Sequence, residues 1–135
     1  MLQKTNPRII ELQTWIDNHN DLLAVVYKHI EKNPNCVDLD SFVSNCGSYA
    51  CLYGWWCKLC GVDSLDIVDD SIKFFGLTHE ANNAEDFLNG TGRWWGHIFG
   101  AKECGTLSQR KQRIKSHIKR FEAERDLILS GGVWC

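Results

Sequence analysis

Between Asn45 and Gly61 the chain reads NCGSYACLYGWWCKLCG, which brings four thiols, Cys46, Cys51, Cys57 and Cys60, into one short stretch. Four cysteines are the donor set of a structural zinc site, and His97 or Cys104 could stand in for one of them. The spacing argues against that use. Structural zinc draws on close pairs carried by turns, whereas the last three of these thiols fall on one continuous apolar helix. Cys57 and Cys60 share a face of it, but Cys51 is six residues before Cys57 and so about 120° away round the axis. A redox reading of Cys57-Lys58-Leu59-Cys60 fails for a related reason. That chemistry needs its first cysteine at a helix N-terminus, and these close a helix. Nothing nearby marks a Cys/His nucleophile pair either. The expectation is therefore no cofactor and no catalytic group, with reduced thiols acting as small core residues.

Two other stretches carry chemistry-bearing residues. The segment NGTGRWWGHIFG, from Asn89 to Gly100, interleaves glycines with Arg93, Trp94, Trp95 and His97. A cation and a histidine beside aromatic rings make the composition of an interaction hot spot. A phosphate cradle built on Gly90, Gly92 and Arg93 is the competing use, but such loops follow a strand and open a helix, and this one does neither clearly. Further on, residues 109 to 120 hold six bases (Arg110, Lys111, Arg113, Lys115, Lys119 and Arg120) and no acid. At 100° per residue they flank an apolar stripe and spread over the outer face of a helix. Such a face suits an acidic protein or a phosphate backbone, and equally a solvated helix that balances acids elsewhere in the molecule.

These residues need a scaffold. The chain has 135 residues, 44% of them apolar and 24% charged, which suits one globular domain. Its net charge of −2 gives no overall pull toward nucleic acid or anionic membrane. The opening MLQKTNPRIIELQTW has no secretory signal core, so a cytoplasmic location is expected, and the odd count of seven cysteines fits reduced thiols. Asn6 and Pro7 start a first helix, and the stretch NHN before Asp21 is read as the turn of a helical hairpin whose second arm ends at Pro34. Residues 37–45 alternate weakly enough to suggest a minor β element. Ser48 is the expected cap of a buried central helix, Tyr49–Cys60, closed by Gly61. A short helix over DDSIKFF ends at Gly76, and Thr78 is expected to cap another. Thr106 and Gln109 form the capping box of a long last helix reaching about Leu129.

The run CGSYACLYGWW, Cys46 to Trp56, resembles the C-G-[ST]-x-x-C-x-x-G-W core of small, mostly uncharacterised proteins of bacteriophages and bacteria. The similarity extends at the level of pattern through FFGLTHEANNAEDFL, Trp94-Trp95 and QRKQRIKSHIKRF. Tyr53, Trp56 and the additional thiols Cys57 and Cys60 depart from it. The resemblance implies a helical fold and a phage or mobile-element origin, and it carries no catalytic residues.

The sequence thus predicts a mainly α, compact single domain over residues 1–130, with five or six helices round a buried central helix and a tail at 131–135. The expected function is non-enzymatic: a phage-encoded protein, monomer or homodimer, that docks on a host protein and inhibits or redirects it. Its contact residues would be Arg93, Trp94, Trp95, His97, Arg110, Arg113, Lys115, Lys119 and Arg120. The alternatives are a sequestering protein with an aromatic pocket for a nucleotide-like ligand, set between the Gly-rich loop and the central helix, and a nucleic-acid binder using the basic helix. No membrane partner is expected.

Overall fold

The computed structural model describes residues 6–37, 51–64, 66–81, 83–89, 92–100 and 102–131. All but Val37 of the minor β element expected over 37–45, most of the tail, and Cys46, Ser48, Tyr49 and Gly90 lie outside these. The chain is mainly helical, with seven α-helical segments among the described residues. Helix α1, Pro7–Asp21, begins where Asn6 accepts the Arg8 backbone N–H at 2.8 Å and Pro7 takes the first turn. It does not turn back at NHN. The backbone stays right-handed helical through a π-helical turn, Leu22–Tyr27, into α2, Lys28–Lys32. The expected hairpin is thus one rod. The stretch NHND holds no glycine or proline to break a helix, and the wider turn shifts the apolar face while keeping the helix intact.

The partner of this rod is α7, Leu107–Leu129, a helix about 35 Å long. Its capping box forms as expected: Thr106 accepts the Gln109 N–H at 3.1 Å, and the Thr106 N–H donates to Gln109 Oε1 at 2.8 Å. The two helices run antiparallel. Arg8 forks onto Glu124 at one end, Trp15 tilts onto Phe121 with centroids 5.3 Å apart, and Tyr27 donates its hydroxyl to the Leu107 carbonyl at 2.8 Å at the other.

Helix α3, Leu52–Cys60, is the apolar helix expected at the centre, with Leu52 through Cys57 all buried. It starts later than Tyr49. Cys51 is extended, and its sulfur accepts the Gly54 N–H at 3.3 Å, so a thiol caps the helix. Gly61 ends it at φ 68°, the left-handed conformation glycine tolerates. Helix α4, Ile67–Phe75, is capped by Asp66 and stopped by Gly76. Thr78 caps nothing. It pairs in an isolated parallel bridge with Trp94, and the next helix, α5, is the short Ala84–Asn89. Helix α6, Gly96–Phe99, follows, and a 3-10 turn, Lys102–Cys104, leads into α7. With the first two segments joined in one rod there are six helical bodies among the described residues.

The core is an aromatic stack. Phe75 meets Trp56 at 4.7 Å and Phe99 at 5.0 Å, Tyr53 meets Phe99 at 5.2 Å, and His19 lies edge-on to Phe75 at 5.2 Å. Through these rings Phe99 of α6 packs against Tyr53 of α3.

Candidate functional site

The inward stripe of α7 is a heptad pattern: Leu107, Arg110, Ile114, His117, Phe121, Glu124 and Ile128, spaced alternately three and four. Three of these seven are ionisable, and all three are buried. Each has its own partner. Glu124 takes Arg8, His117 meets His19, and Arg110 is satisfied by backbone.

Arg110 is fully buried, which corrects its expected place on the outer face. Its Nε donates to the Gly105 carbonyl at 2.8 Å, and Nη1 donates to those of Ile98 at 2.9 Å and Gly100 at 2.6 Å. Arg113, half-buried, donates from Nη1 to the carbonyls of His97 at 2.9 Å and Cys104 at 2.7 Å. The reason is the short helix α6. Its last carbonyls have no helical partner and carry the negative end of its dipole, and a planar guanidinium with five donors satisfies several of them together. These two arginines fasten the loop 96–105 to α7.

The expected contact residues of the Gly-rich loop are also drawn into internal contacts. His97 is buried, with Nδ1 3.4 Å from the Gly92 carbonyl and the edge of Trp94 against its ring at 5.2 Å. The turn that carries it is held from behind by Arg113. Trp94 and Trp95 are both half-buried, so neither is a free surface ring. Trp94 donates Nε1–H to the His79 carbonyl at 2.8 Å and lies over Gly96, where a Cβ would come within 2.7 Å of the indole. Arg93 donates to the Gly76 carbonyl at 2.9 Å and sits 5.8 Å from the Phe121 ring centre. It is engaged in internal carbonyl and ring contacts and Gly92 is buried, while Gly90, the remaining residue of the phosphate cradle read from this loop, lies outside the described residues.

Three bases remain exposed: Lys115, Lys119 and Arg120. They share the outer face of α7 with Gln109, Gln112 and Ser116, residues the sequence reading passed over. Their signal was the complementary spacing, 109, 112, 116 and 120, opposite the buried stripe. A groove of about 450 Å³ flanks one side of this ridge, lined by Asn89, Gln109, Gln112, Arg113, Ser116, His117 and Arg120. A second, of about 340 Å³, flanks the other between α7 and the first rod, and includes Asn20, Leu23, Lys115, Lys119 and Glu122. Gln112 and Ser116 border both grooves.

Cys51, Cys57, Cys60 and Cys104 are free thiols. Burial raises the thiol pKa of Cys51 and Cys60 and pushes that of Cys57 up to about 11, which keeps them protonated and poorly nucleophilic. Cys60 closes α3 beside Gly61, at the helix end that disfavours a thiolate. Among the described residues no group of three His, Cys, Asp or Glu side chains could hold a metal ion, and Cys46 lies outside them. Also among them, no helix is long and apolar enough to cross a membrane. No protein-family model, curated protein or solved structure matches the chain.

Proposed function

We propose that this is a non-enzymatic binding protein that docks on an acidic patch of another protein through the outer face of α7. One observation carries the reading. Of the six bases between residues 109 and 120, the three that are exposed, Lys115, Lys119 and Arg120, stand together on one ridge. Grooves on both sides give that ridge relief for a partner's side chains. The resemblance of the Cys46–Trp56 run to phage proteins supports a phage origin and a host protein as partner, with inhibition or redirection of that host protein as the outcome.

A nucleic-acid partner fits the ridge less well. Three exposed cations would neutralise about three phosphates, a salt slope near −2.7, in a chain whose net charge is −2. Electrostatic complementarity on this scale favours steering and orientation toward one protein surface. The test compares partners co-purified with the wild-type chain and with the Lys115→Glu/Lys119→Glu/Arg120→Glu variant, after matching their melting temperatures. Loss of the same defined partner by the variant supports the reading, and its retention overturns it.

A further inference from the structure

Two side-chain bridges cross the seam between α7 and the first rod on the same side. Near the start of α7, Lys111 reaches Glu31 at 3.4 Å, and near its end Arg125 donates to Gln13 Oε1 at 3.0 Å. Between them come Lys115, Ile118 and Glu122, so these five residues follow one another at steps of four, three, four and three along one side of the helix. The bridges stand about 20 Å apart along the axis. The unbridged stretch is the groove of about 340 Å³ that Asn20 and Leu23 line from the rod. Leu23 belongs to the π-helical turn and is only half-buried against the core, so part of its side chain meets the groove near Ile118. Lys115 and Lys119, exposed, and Glu122, half-buried, also line it. Unlike Lys111 and Arg125, these three make no side-chain hydrogen bond or ion pair among the described residues.

Spacing decides which conformation fits. From Lys115 to Lys119 α7 rises about 6 Å, and from Lys119 to Glu122 about 4.5 Å more. A second helix laid along the groove repeats that rise, so two carboxylates four residues apart and a cation three further on meet all three charges. An extended chain presents same-side residues about 6.7 Å apart, which matches the lysine pair and then overshoots Glu122 by about 3 Å. An apolar side chain beside the second acid would cover the open part of Leu23.

We infer that this groove receives an amphipathic helix of the partner whose seated face reads acid, apolar, acid, base at i, i+3, i+4 and i+7. The inference rests on the docking proposed for the α7 ridge and names the segment that docks. Glu122 sets the order of charges by repelling a third acid, and the distance between the bridges suits a helix of about 13 residues.

Fluorescence anisotropy of the purified full chain with labelled, hydrocarbon-stapled alanine peptides of about 15 residues tests it. One peptide carries Glu, Leu, Glu and Lys at i, i+3, i+4 and i+7, and a second carries the same pattern reversed. A control moves one glutamate by two residues to the far face. One patterned peptide should bind below about 1 mM and about threefold or more tighter than the control, the worth of one exposed ion pair. Asn20→Glu, which adds a carboxylate to the groove, should weaken it by about threefold or more. Glu122→Lys should do the same, and changing the peptide's lysine to glutamate should restore binding to that variant. Asn20 is exposed and Glu122 has no side-chain partner to lose among the described residues, so both variants should keep the wild-type melting temperature. Equal binding of control and patterned peptides, binding that Asn20→Glu leaves unchanged, or no binding at about 1 mM would overturn the inference. So would self-association that Asn20→Glu abolishes, which would give the groove to a second copy of the chain. Neither Asn20 nor Glu122 is altered in the charge-reversal variant that tests the ridge, so the two fail separately. A cellular partner lost on charge reversal, without patterned binding, leaves the ridge and removes the groove. Patterned binding with the partner retained on reversal leaves the groove and removes the ridge.

Discussion

Nε2 of His19 lies 3.1 Å from Nδ1 of His117, and both rings are buried in the seam between α1 and α7. The contacts around them fix the tautomers. His19 Nδ1 is 2.7 Å from the Trp15 carbonyl, which can only accept, so that nitrogen carries the proton and Nε2 accepts. His117 must then donate from Nδ1. Its Nε2, without a proton in the neutral ring, faces the Gly92 carbonyl at 3.4 Å. Three contacts would need three protons, and two neutral imidazoles carry two. Burial nevertheless holds both pKa values down, with His19 at about 4 and His117 well below its ordinary value. Arg93 and Arg120, which face His117, push in the same direction, and Glu124 is paired with Arg8.

Stability should therefore fall with acid above the carboxylate range. A histidine whose folded pKa is below its unfolded value binds fewer protons when folded. Its contribution is whole above pH 6.5 and is lost as the pH falls toward 4. For His19 alone the loss at pH 5 is about 2 kcal/mol. Urea unfolding at pH 7.5 and pH 5, with an NMR titration of the histidine ring protons, measures it. A flat profile, or a His19 midpoint near 6.5, would contradict the buried neutral pair.

Arg110→Met should be among the most damaging substitutions in the chain. It removes the donor to three carbonyls and leaves them without that partner, at a cost of about 3 kcal/mol or more. Arg110→Lys should recover only part of this, because an ammonium lacks the planar fork. Chemical denaturation of both variants gives the comparison, and a neutral Arg110→Met would show that the loop 96–105 does not depend on it.

Gly61 and Gly76 end their helices with almost the same backbone, φ 68° and 66°, yet their alanine variants should differ. At Gly61 nothing lies within 4 Å of an added Cβ, so Gly61→Ala costs only the left-handed strain, about 1 kcal/mol. At Gly76 the new carbon would come within 2.4 Å of the Trp15 ring. That indole is held by its Nε1–H bond to the Lys73 carbonyl at 3.0 Å and by packing on Phe121. Gly76→Ala should cost about 2 kcal/mol more than Gly61→Ala, and equal melting temperatures would mean that Trp15 can move aside.

How much of this was legible in the sequence depends on what each residue had to reveal. Caps and stops were local, so Asn6-Pro7, Gly61, Gly76 and the Thr106/Gln109 box placed helix ends where they occur. Cys51 was missed as a cap because a thiol is not a usual one. NHN was misread because polarity alone does not break a helix, and a π-helical turn has no simple sequence signature. Arg110 was placed on the outer face by treating charge as a mark of the surface. Arg110, His117 and Glu124 follow the same three-four spacing as Ile114 and Phe121, and that periodicity was the better guide to burial. The partners of His117 and Glu124, His19 and Arg8, lie at the other end of the chain and needed the fold to appear.

The central claim is that the exposed face of α7 is where this protein meets its partner. The most direct measurement replaces Gln112, Lys115 or Lys119 singly with a photo-crosslinking amino acid and identifies what is captured in cells, with Ile10 on the exposed side of α1 as the control position. One protein crosslinked from the three α7 positions, not from position 10, and lost when Lys115, Lys119 and Arg120 are reversed to glutamate is the predicted result. The same partner captured equally from position 10, or undiminished by the charge reversal, would contradict it.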